Sequence, residues 1–308
     1  MMTLAFIFPG QGSQSVGMLS ALADQNNEVT ETFSIASNIL GYDLWQLVKD
    51  GPDTELNQTH ITQPAMLAAG VATWRVWQSK SGPIPAFMAG HSLGEYSALV
   101  CSGAMAFEDA ISLVADRGRF MQEAVPEGKG AMAAILGLDD ALVIQVCDEA
   151  TQGDVVSAVN FNSPGQVVIA GSKDAVTRAT EIAKEKGAKR ALLLPVSVPS
   201  HCALMKPAAE RLAQRLNEIT INSPSIPVIN NVDVAICDNA DAIREALTKQ
   251  LYSPVRWVET IQKMHADGVD NLIECGPGKV LTGLNKRIEK TMNVFPVYDP
   301  ESLATALT

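Results

Sequence analysis

Short apolar runs alternate along the chain with longer segments in which apolar residues recur every three or four positions. The runs LAFIF (residues 4–8) and AFMAG (86–90) predict buried strands, and the first leads into the glycine-rich turn PGQGSQ. Segments 18–40, 62–80 and 93–103 have the spacing of helices. Strands that alternate with helices are typical of a parallel sheet covered on both faces. The pattern therefore predicts an α/β fold.

The order of elements changes between residues 130 and 197. There the pattern predicts a strand (131–138), a helix (139–150), two strands joined by SPG (155–162 and 166–171), a helix (173–187) and a strand (188–197). This βαββαβ order is ferredoxin-like. We predict a small domain, 128–197, inserted into a larger domain formed by 1–127 and 198–308. Its ends should be adjacent, since we expect its outer strands to lie centrally in its sheet.

The parallel-sheet domain resumes after the insert. It resumes at VPSHCALMKPAAERLAQRL (198–216), where a helix starts after a proline turn, and the pattern then predicts a strand near 227–232, a helix over 241–252 and a strand near 271–278.

Composition and charge narrow the class of protein. A chain of 308 residues that is 47% hydrophobic can bury a large core. The opening apolar run is too short for a signal peptide or a membrane span, and a net charge of −11 disfavours nucleic acid and anionic lipid as partners. Five cysteines without paired spacing argue against a disulfide framework and a zinc site. We expect a cytoplasmic protein with no metal and no membrane partner.

The stretch AGHSLGEYSAL (89–99) places Ser92 midway between Gly90 and Gly94. A nucleophilic serine on a sharp turn between a strand and a helix requires small residues at these spacings, because the strained backbone leaves no room for a Cβ. The same residues could form an ordinary turn in which Ser92 caps the helix. The motif alone leaves both interpretations open.

A serine nucleophile needs a base within hydrogen-bond reach. Among the four histidines, we favour His201 because it lies in a loop where a strand ends and a helix starts. A histidine with only local hydrogen bonds is the alternative. His91 should point away from Ser92, and we expect His60 and His265 at the surface. Cys202 is interpreted as a packing residue.

An acyl intermediate on the serine also needs two donors for its oxyanion. The backbone N–H of Leu93, the residue after the serine, is one. We expect the N–H of Gln11, in the turn after the first strand, to be the other. The alternative use of this turn, nucleotide binding, is disfavoured because Gly10, Gly12 and Gly17 miss the G-x-G-x-x-G spacing.

One arginine falls on the apolar face of the helix predicted around 107–124. The neighbours of Arg117 at three and four residues are apolar, whereas Arg119 faces Asp116 and Glu123. A buried arginine must be paired. Its partner could be a structural carboxylate or the carboxylate of a substrate held by two parallel hydrogen bonds.

These residues and further motifs resemble the malonyl-CoA:acyl carrier protein transacylases of bacterial type II fatty acid synthesis. The resemblance spans nearly the whole chain, in the order FPGQGSQ, TQPA, GHSLGEYSALV, RGRFMQ, NFNSPGQVVIAG, VPSHCALMKPA, QLYSPVRW and GPGKVLTGL. It implies an α/β-hydrolase-like domain with a ferredoxin-like insert.

The resemblance also implies roles for individual residues. Ser92 would be the acylated nucleophile and His201 its base. The N–H groups of Gln11 and Leu93 would form the oxyanion hole, and Arg117 would bind the malonyl carboxylate. A backbone carbonyl orients the histidine in this family, and the matching residue is Gln250.

Asn160 and Asn162 would line the cleft without an assigned role. The implied reaction moves malonyl from malonyl-CoA to acyl carrier protein without a metal or redox cofactor. A serine hydrolase or thioesterase, and an acyltransferase serving a polyketide synthase, are the alternatives. Two basic segments, 173–190 and 279–290, are candidate docking sites for an acidic carrier protein.

Overall fold

The computed structural model describes residues 3–196 and 198–308. Its strands are β1 (Leu4–Phe8), β2 (Phe87–Gly90), β3 (Gly130–Leu136), β4 (Val156–Ser163), β5 (Gln166–Ser172), β6 (Arg190–Leu193), β7 (Val228–Ile229), β8 (Asn271–Cys275) and β9 (Asn293–Val297). Its helices are α1 (Ser20–Ala23), α2 (Asn27–Leu40), α3 (Leu44–Asp50), α4 (Asp53–Leu56), α5 (Thr59–Ser79), α6 (Gly94–Cys101), α7 (Phe107–Ala124), α8 (Asp140–Thr151), α9 (Lys173–Glu185), α10 (Lys206–Glu218), α11 (Ala240–Gln250), α12 (Trp257–Ala266), α13 (Val280–Ile288) and α14 (Pro300–Ala306), with a short 3₁₀ turn at Ala203–Met205.

Five parallel strands form the larger sheet in the order β7-β2-β1-β8-β9. The side chains of the central strand β1 point alternately to the two faces of the sheet, and both faces are covered by helices. Phe6 and Phe8 pack among α5, α6 and α7, whereas Ala5 and Ile7 pack against α12 and α13. The predicted parallel sheet covered on both faces is confirmed.

The smaller sheet is antiparallel, in the order β4-β5-β3-β6. One face packs against α8 and α9, and the order is that of a ferredoxin-like unit. The α/β fold with a second, ferredoxin-like sheet is therefore confirmed. The first and last strands pair directly, Ala133 opposite Leu193, so the ends of the unit are adjacent. The predicted reason was wrong, because β6 lies at the edge of the sheet.

Strand β4 of the smaller sheet pairs with the segment between α11 and α12. The N–H of Phe161 donates to the carbonyl of Val255 over 3.0 Å, and the N–H of Val255 donates to the carbonyl of Val159 over 2.8 Å. We propose 128–197 as the insert, with 1–127 and 198–308 as the larger domain. Residue 197, its predicted end, lies outside the described residues, as do residues 1 and 2.

Local expectations differ from the structure in two places. The predicted helix over 18–40 is two helices. Where they separate, the backbone N–H of Asn26 donates to the carbonyl of Ala23 and its side-chain amide donates to the carbonyl of Leu22 over 2.9 Å. The predicted strand over 188–197 is limited to Arg190–Leu193. Within the described ranges, no helix has the length and apolar content that crossing a membrane requires.

Candidate active site

Ser92 lies on a tight turn between β2 and α6. Its φ angle is 52°, in the left-handed region that non-glycine residues rarely adopt. A Cβ on Gly90 would lie 1.8 Å from the carbonyl carbon of Gly94, and one on Gly94 would lie 2.0 Å from the carbonyl oxygen of Phe8. The two glycines are therefore required by close backbone contacts. Leu93, not Ser92, is the residue that precedes the helix, so the capping interpretation is not supported.

A chain of two short hydrogen bonds runs from the serine into the interior. Ser92 Oγ lies 2.7 Å from His201 Nε2, and His201 Nδ1 lies 2.7 Å from the backbone oxygen of Gln250. A carbonyl oxygen only accepts, so Nδ1 carries the proton. Nε2 is then the acceptor for the Ser92 hydroxyl.

The backbone and burial of His201 fix this arrangement. Its φ angle is 66°, and its N–H donates to the carbonyl of Leu251 over 2.9 Å. Burial, together with the nearby positive charge of Arg117, lowers the pKa of His201 to about 3. The imidazole is therefore neutral near pH 7, the form in which it can accept a proton.

None of the other three histidines forms a hydrogen bond with Ser92 among the described residues. The ring of His91 is directed toward β4, where its Nε2 lies 2.7 Å from Asn162 Oδ1. His60 is half-buried beside Gln122, so the surface prediction is only approximate there. His265 is exposed at the end of α12. Cys202 is buried and packs against the inner face of the small sheet, which agrees with its interpretation as a packing residue.

Arg117 is 1% exposed and projects from α7 into the interior. Its guanidinium donates to Gln63 Oε1 over 2.8 Å and to Gln250 Oε1 over 3.0 Å, while its Nε has no hydrogen-bond partner among the described residues. The ring of Tyr96 lies 5.3 Å from its Cζ. The observed partners are neutral amides, so the structural carboxylate considered from the sequence does not bind this arginine directly. Burial lowers the pKa of Arg117.

Three residues of this network were missed by sequence reasoning: Gln63, Glu95 and Asn231. Asn231 Oδ1 accepts from the N–H of Ser92 over 2.7 Å, and its Nδ2 donates to the carbonyl of Gly90 over 2.6 Å. The side chain of Asn231 therefore holds both ends of the serine turn. Of the three, only Glu95 could have been found from the sequence. It is a charged residue in a helix that is otherwise mostly apolar, one turn after Ser92.

The predicted oxyanion donors lie beside the same turn. Leu93 immediately precedes α6, and Gln11 follows Gly10 in the turn after β1. A Cβ on Gly10 would lie 2.4 Å from the carbonyl oxygen of His91 and 3.7 Å from the nitrogen of Leu93, so this turn runs directly past the serine. Gln11 also borders an open cleft of about 730 Å³ that reaches His60 and Val198.

Serine activated by a neutral histidine takes up acyl groups as an ester, and this chemistry is common to hydrolases and acyltransferases. The arrangement thus defines the class as enzymes that work through an acyl-serine. Comparison with known proteins resolves the choice within that class. The chain belongs to the acyl transferase domain family, whose family model matches residues 5–302.

Similar proteins cover the whole length. A malonyl CoA-acyl carrier protein transacylase of Escherichia coli (strain K12) is 62% identical over 307 residues, which is 100% of this chain and 99% of that protein. An acyl carrier protein S-malonyltransferase from Vibrio cholerae O1 biovar eltor has a crystal structure that matches with a TM-score of 0.97 at 62% identity, over 98% of this chain and 99% of that one.

A further structural relative has a carrier bound. It is a malonyl-transacylase in complex with a type II polyketide synthase acyl-carrier protein, and it matches with a TM-score of 0.98 at 60% identity over 99% of both chains.

Proposed function

We propose that this protein transfers the malonyl group from malonyl-CoA to the phosphopantetheine thiol of acyl carrier protein in fatty acid synthesis. The transfer proceeds through a malonyl ester on Ser92. Full-length similarity to malonyl transacylases supports this function over the hydrolase and thioesterase alternatives.

One observation carries the assignment of the site: Gln250 joins the nucleophile, the base and the arginine. Its backbone oxygen accepts from His201, and its side-chain oxygen accepts from Arg117. Its side-chain nitrogen donates to the carbonyl of Ser92 over 3.0 Å. A carboxylate bound by Arg117 would therefore lie close to the serine that takes up the acyl group, as a malonyl thioester requires.

In the proposed first half-reaction, His201 Nε2 takes the proton of the Ser92 hydroxyl while Oγ attacks the thioester carbonyl carbon. The C–S bond then breaks, and the imidazolium returns the proton to the departing thiolate. In the second half-reaction, His201 takes the proton of the carrier thiol, whose sulfur attacks the serine ester. Ser92 leaves with that proton, and the site is restored.

The tetrahedral intermediate of each step carries a negative oxygen. We propose that the N–H groups of Leu93 and Gln11 donate to it, since both lie at the carboxyl ends of neighbouring strands. The carbonyl of Gln250 takes the place of the acid that orients histidine in many serine enzymes. All steps are acyl and proton transfers, so the proposal invokes no metal or redox cofactor.

The carrier would dock on a basic face, defined here as Lys189, Arg190, Lys286 and Arg287. All four are exposed. Arg287 donates to Gln166 Oε1 over 2.7 Å, and Gln166 lies opposite Leu136, which lies opposite Arg190 on the next strand. The two segments singled out from the sequence thus meet at one end of the small sheet. Such a face complements an acidic carrier on a chain of net charge −11.

We also propose a cytoplasmic location, where reducing conditions suit the five free thiols.

Intact-mass measurement tests the function directly. Incubation with malonyl-CoA should add one malonyl group, and acyl carrier protein should then remove it and gain the same mass. Ser92→Ala should show no adduct, because it removes the attacking oxygen while leaving the turn. Loss of the adduct to water without carrier would indicate a hydrolase instead. A polyketide-type carrier should be run in parallel, since one structural relative binds such a partner.

A further inference from the structure

A second buried charge lies next to Arg117. Glu95 is 2% exposed on α6, and its backbone N–H donates to the carbonyl of Ser92 over 3.1 Å. Nothing in the proposed acyl transfer uses its carboxylate. A buried carboxylate is costly unless it serves as a partner, so its contacts indicate what it does.

The Glu95 carboxylate is joined to Arg117 through one amide group. Glu95 Oε2 accepts from Gln250 Nε2 over 2.9 Å and from the N–H of Asn231 over 3.0 Å. The other end of the same amide, Gln250 Oε1, accepts from Arg117. Because a carboxylate only accepts, it makes Gln250 turn its NH₂ group inward and its oxygen toward the guanidinium.

We propose that Glu95 is the counter-charge of Arg117, acting across the Gln250 amide, and that it sets how strongly the site holds an acyl group bearing a carboxylate. Glu95 is a positioning residue, because it acts through Gln250 and Arg117. This inference rests on the proposed malonyl transfer.

The charges of Glu95, Arg117 and the bound acyl group determine how malonyl and acetyl should differ. In the free site the negative Glu95 balances the positive Arg117. A malonyl carboxylate adds a second negative charge to a region of low dielectric, whereas an acetyl group adds none. Repulsion between the two carboxylates is relieved when Glu95 takes up a proton. Malonyl binding should therefore be linked to protonation of Glu95.

The surroundings of Glu95 permit this titration near neutral pH. Burial raises its pKa to about 7, although the hydrogen bonds from Gln250 and Asn231 and the charge of Arg117 oppose the rise. Asp233, in the exposed segment after β7, also raises it.

Other elements add few charges around this carboxyl group. Cys237 faces it from the segment after β7, and Tyr96 follows it on its own helix. Helix α11 faces it with the apolar Ile243 and Ala246, and with Gln250.

The test compares malonyl-CoA with acetyl-CoA as kcat/KM for acylation between pH 6 and pH 8. The ratio cancels titration of the CoA phosphates, which both substrates carry. In the wild type it should fall roughly tenfold as Glu95 ionises, the size expected for two like charges in a partly buried site. Glu95→Gln keeps an acceptor oxygen but loses the charge. Its ratio should be flat with pH and exceed the wild type roughly tenfold at pH 8.

Two further variants distinguish the effect of the Glu95 charge from that of a nearby charge and from that of its hydrogen bond to Gln250. Asp233→Asn removes an exposed carboxylate nearby and should retain the slope. Glu95→Ala removes the acceptor for Gln250, so acylation by both substrates should slow.

A second measurement uses only the wild type. Transfer from a thioester to serine releases no net proton, so malonylation in weak buffer at pH 7 should take up a fraction of a proton and acetylation none.

A flat wild-type ratio, a Glu95→Gln ratio with the wild-type slope, or malonylation without proton uptake would each overturn the inference and leave malonyl transfer standing. Failure of the wild type to form a malonyl ester would overturn the proposed function as well.

Discussion

The protein keeps its charges in two regions that differ in access to solvent. At the serine turn, Arg117, Glu95 and His201 are each 3% exposed or less and are held by amides and backbone groups. On the basic face, the four lysine and arginine side chains are exposed to water. The first region can recognise a small group at contact distance without screening by salt, whereas the second attracts a large partner from a distance and is screened.

Removal of the buried base should have the largest effect. His201→Ala should lower transfer by several orders of magnitude, as loss of a member of a serine triad does, because no other group reaches the Ser92 hydroxyl in the described structure. Steady-state rates with His265→Ala as the matched control check this. If His265→Ala lowers transfer by several orders of magnitude and His201→Ala has only a mild effect, the base has been assigned to the wrong residue.

Loss of the buried arginine should come next and should depend on the acyl group. A bidentate charge-assisted pair contributes roughly 3–5 kcal/mol, so Arg117→Ala should lower kcat/KM for malonyl-CoA on the order of 10²- to 10³-fold. Acetyl transfer should not fall in parallel, because acetyl has no carboxylate to bind. Arg117→Lys should recover little, since a point charge cannot replace the planar fork.

The ratio of malonyl to acetyl kcat/KM, with circular dichroism for folding, measures this effect. An equal fall for both substrates in a folded variant would make Arg117 a structural residue.

Charge reversal on the basic face should have the smallest effect on transfer. It is also the only one of these effects that high salt should remove. Glutamate at Lys189 and Arg190, or at Lys286 and Arg287, should raise KM for the carrier roughly tenfold and leave KM for malonyl-CoA nearly constant. High salt should reduce the difference. Reversal at Lys173 and Lys184, elsewhere on the insert, is a matched control. Equal changes in both KM values would contradict docking on this face.

The sequence predicted features that depend on neighbouring residues better than contacts between residues far apart along the chain. Local sequence identified the glycines around Ser92, because a tight turn leaves no room for a Cβ, and helical periodicity identified the inward position of Arg117. The carbonyl of Gln250 was assigned only through family resemblance. Asn231 was missed because it meets Ser92 across 139 residues of chain, and Gln63 because it meets Arg117 across 54. Such contacts depend on how the helices pack, which local patterns do not encode.

The burial of His201 has a consequence for folding stability in acid. An exposed histidine in the unfolded chain binds a proton below pH 6.5, whereas the folded protein resists that proton until about pH 3. At this site the unfolded state therefore binds more protons between these values, so His201 lowers the free energy of unfolding as the pH falls through this window. Glu95, whose pKa is raised to about 7, acts in the opposite direction between about pH 7 and pH 4.5. From pH 7 to pH 5, the urea midpoint of the wild type should therefore fall relative to that of His201→Ala, which lacks only the first contribution. Burial thus keeps His201 neutral and able to accept a proton, but it lowers stability in acid. The inactive variant His201→Ala should recover part of that stability.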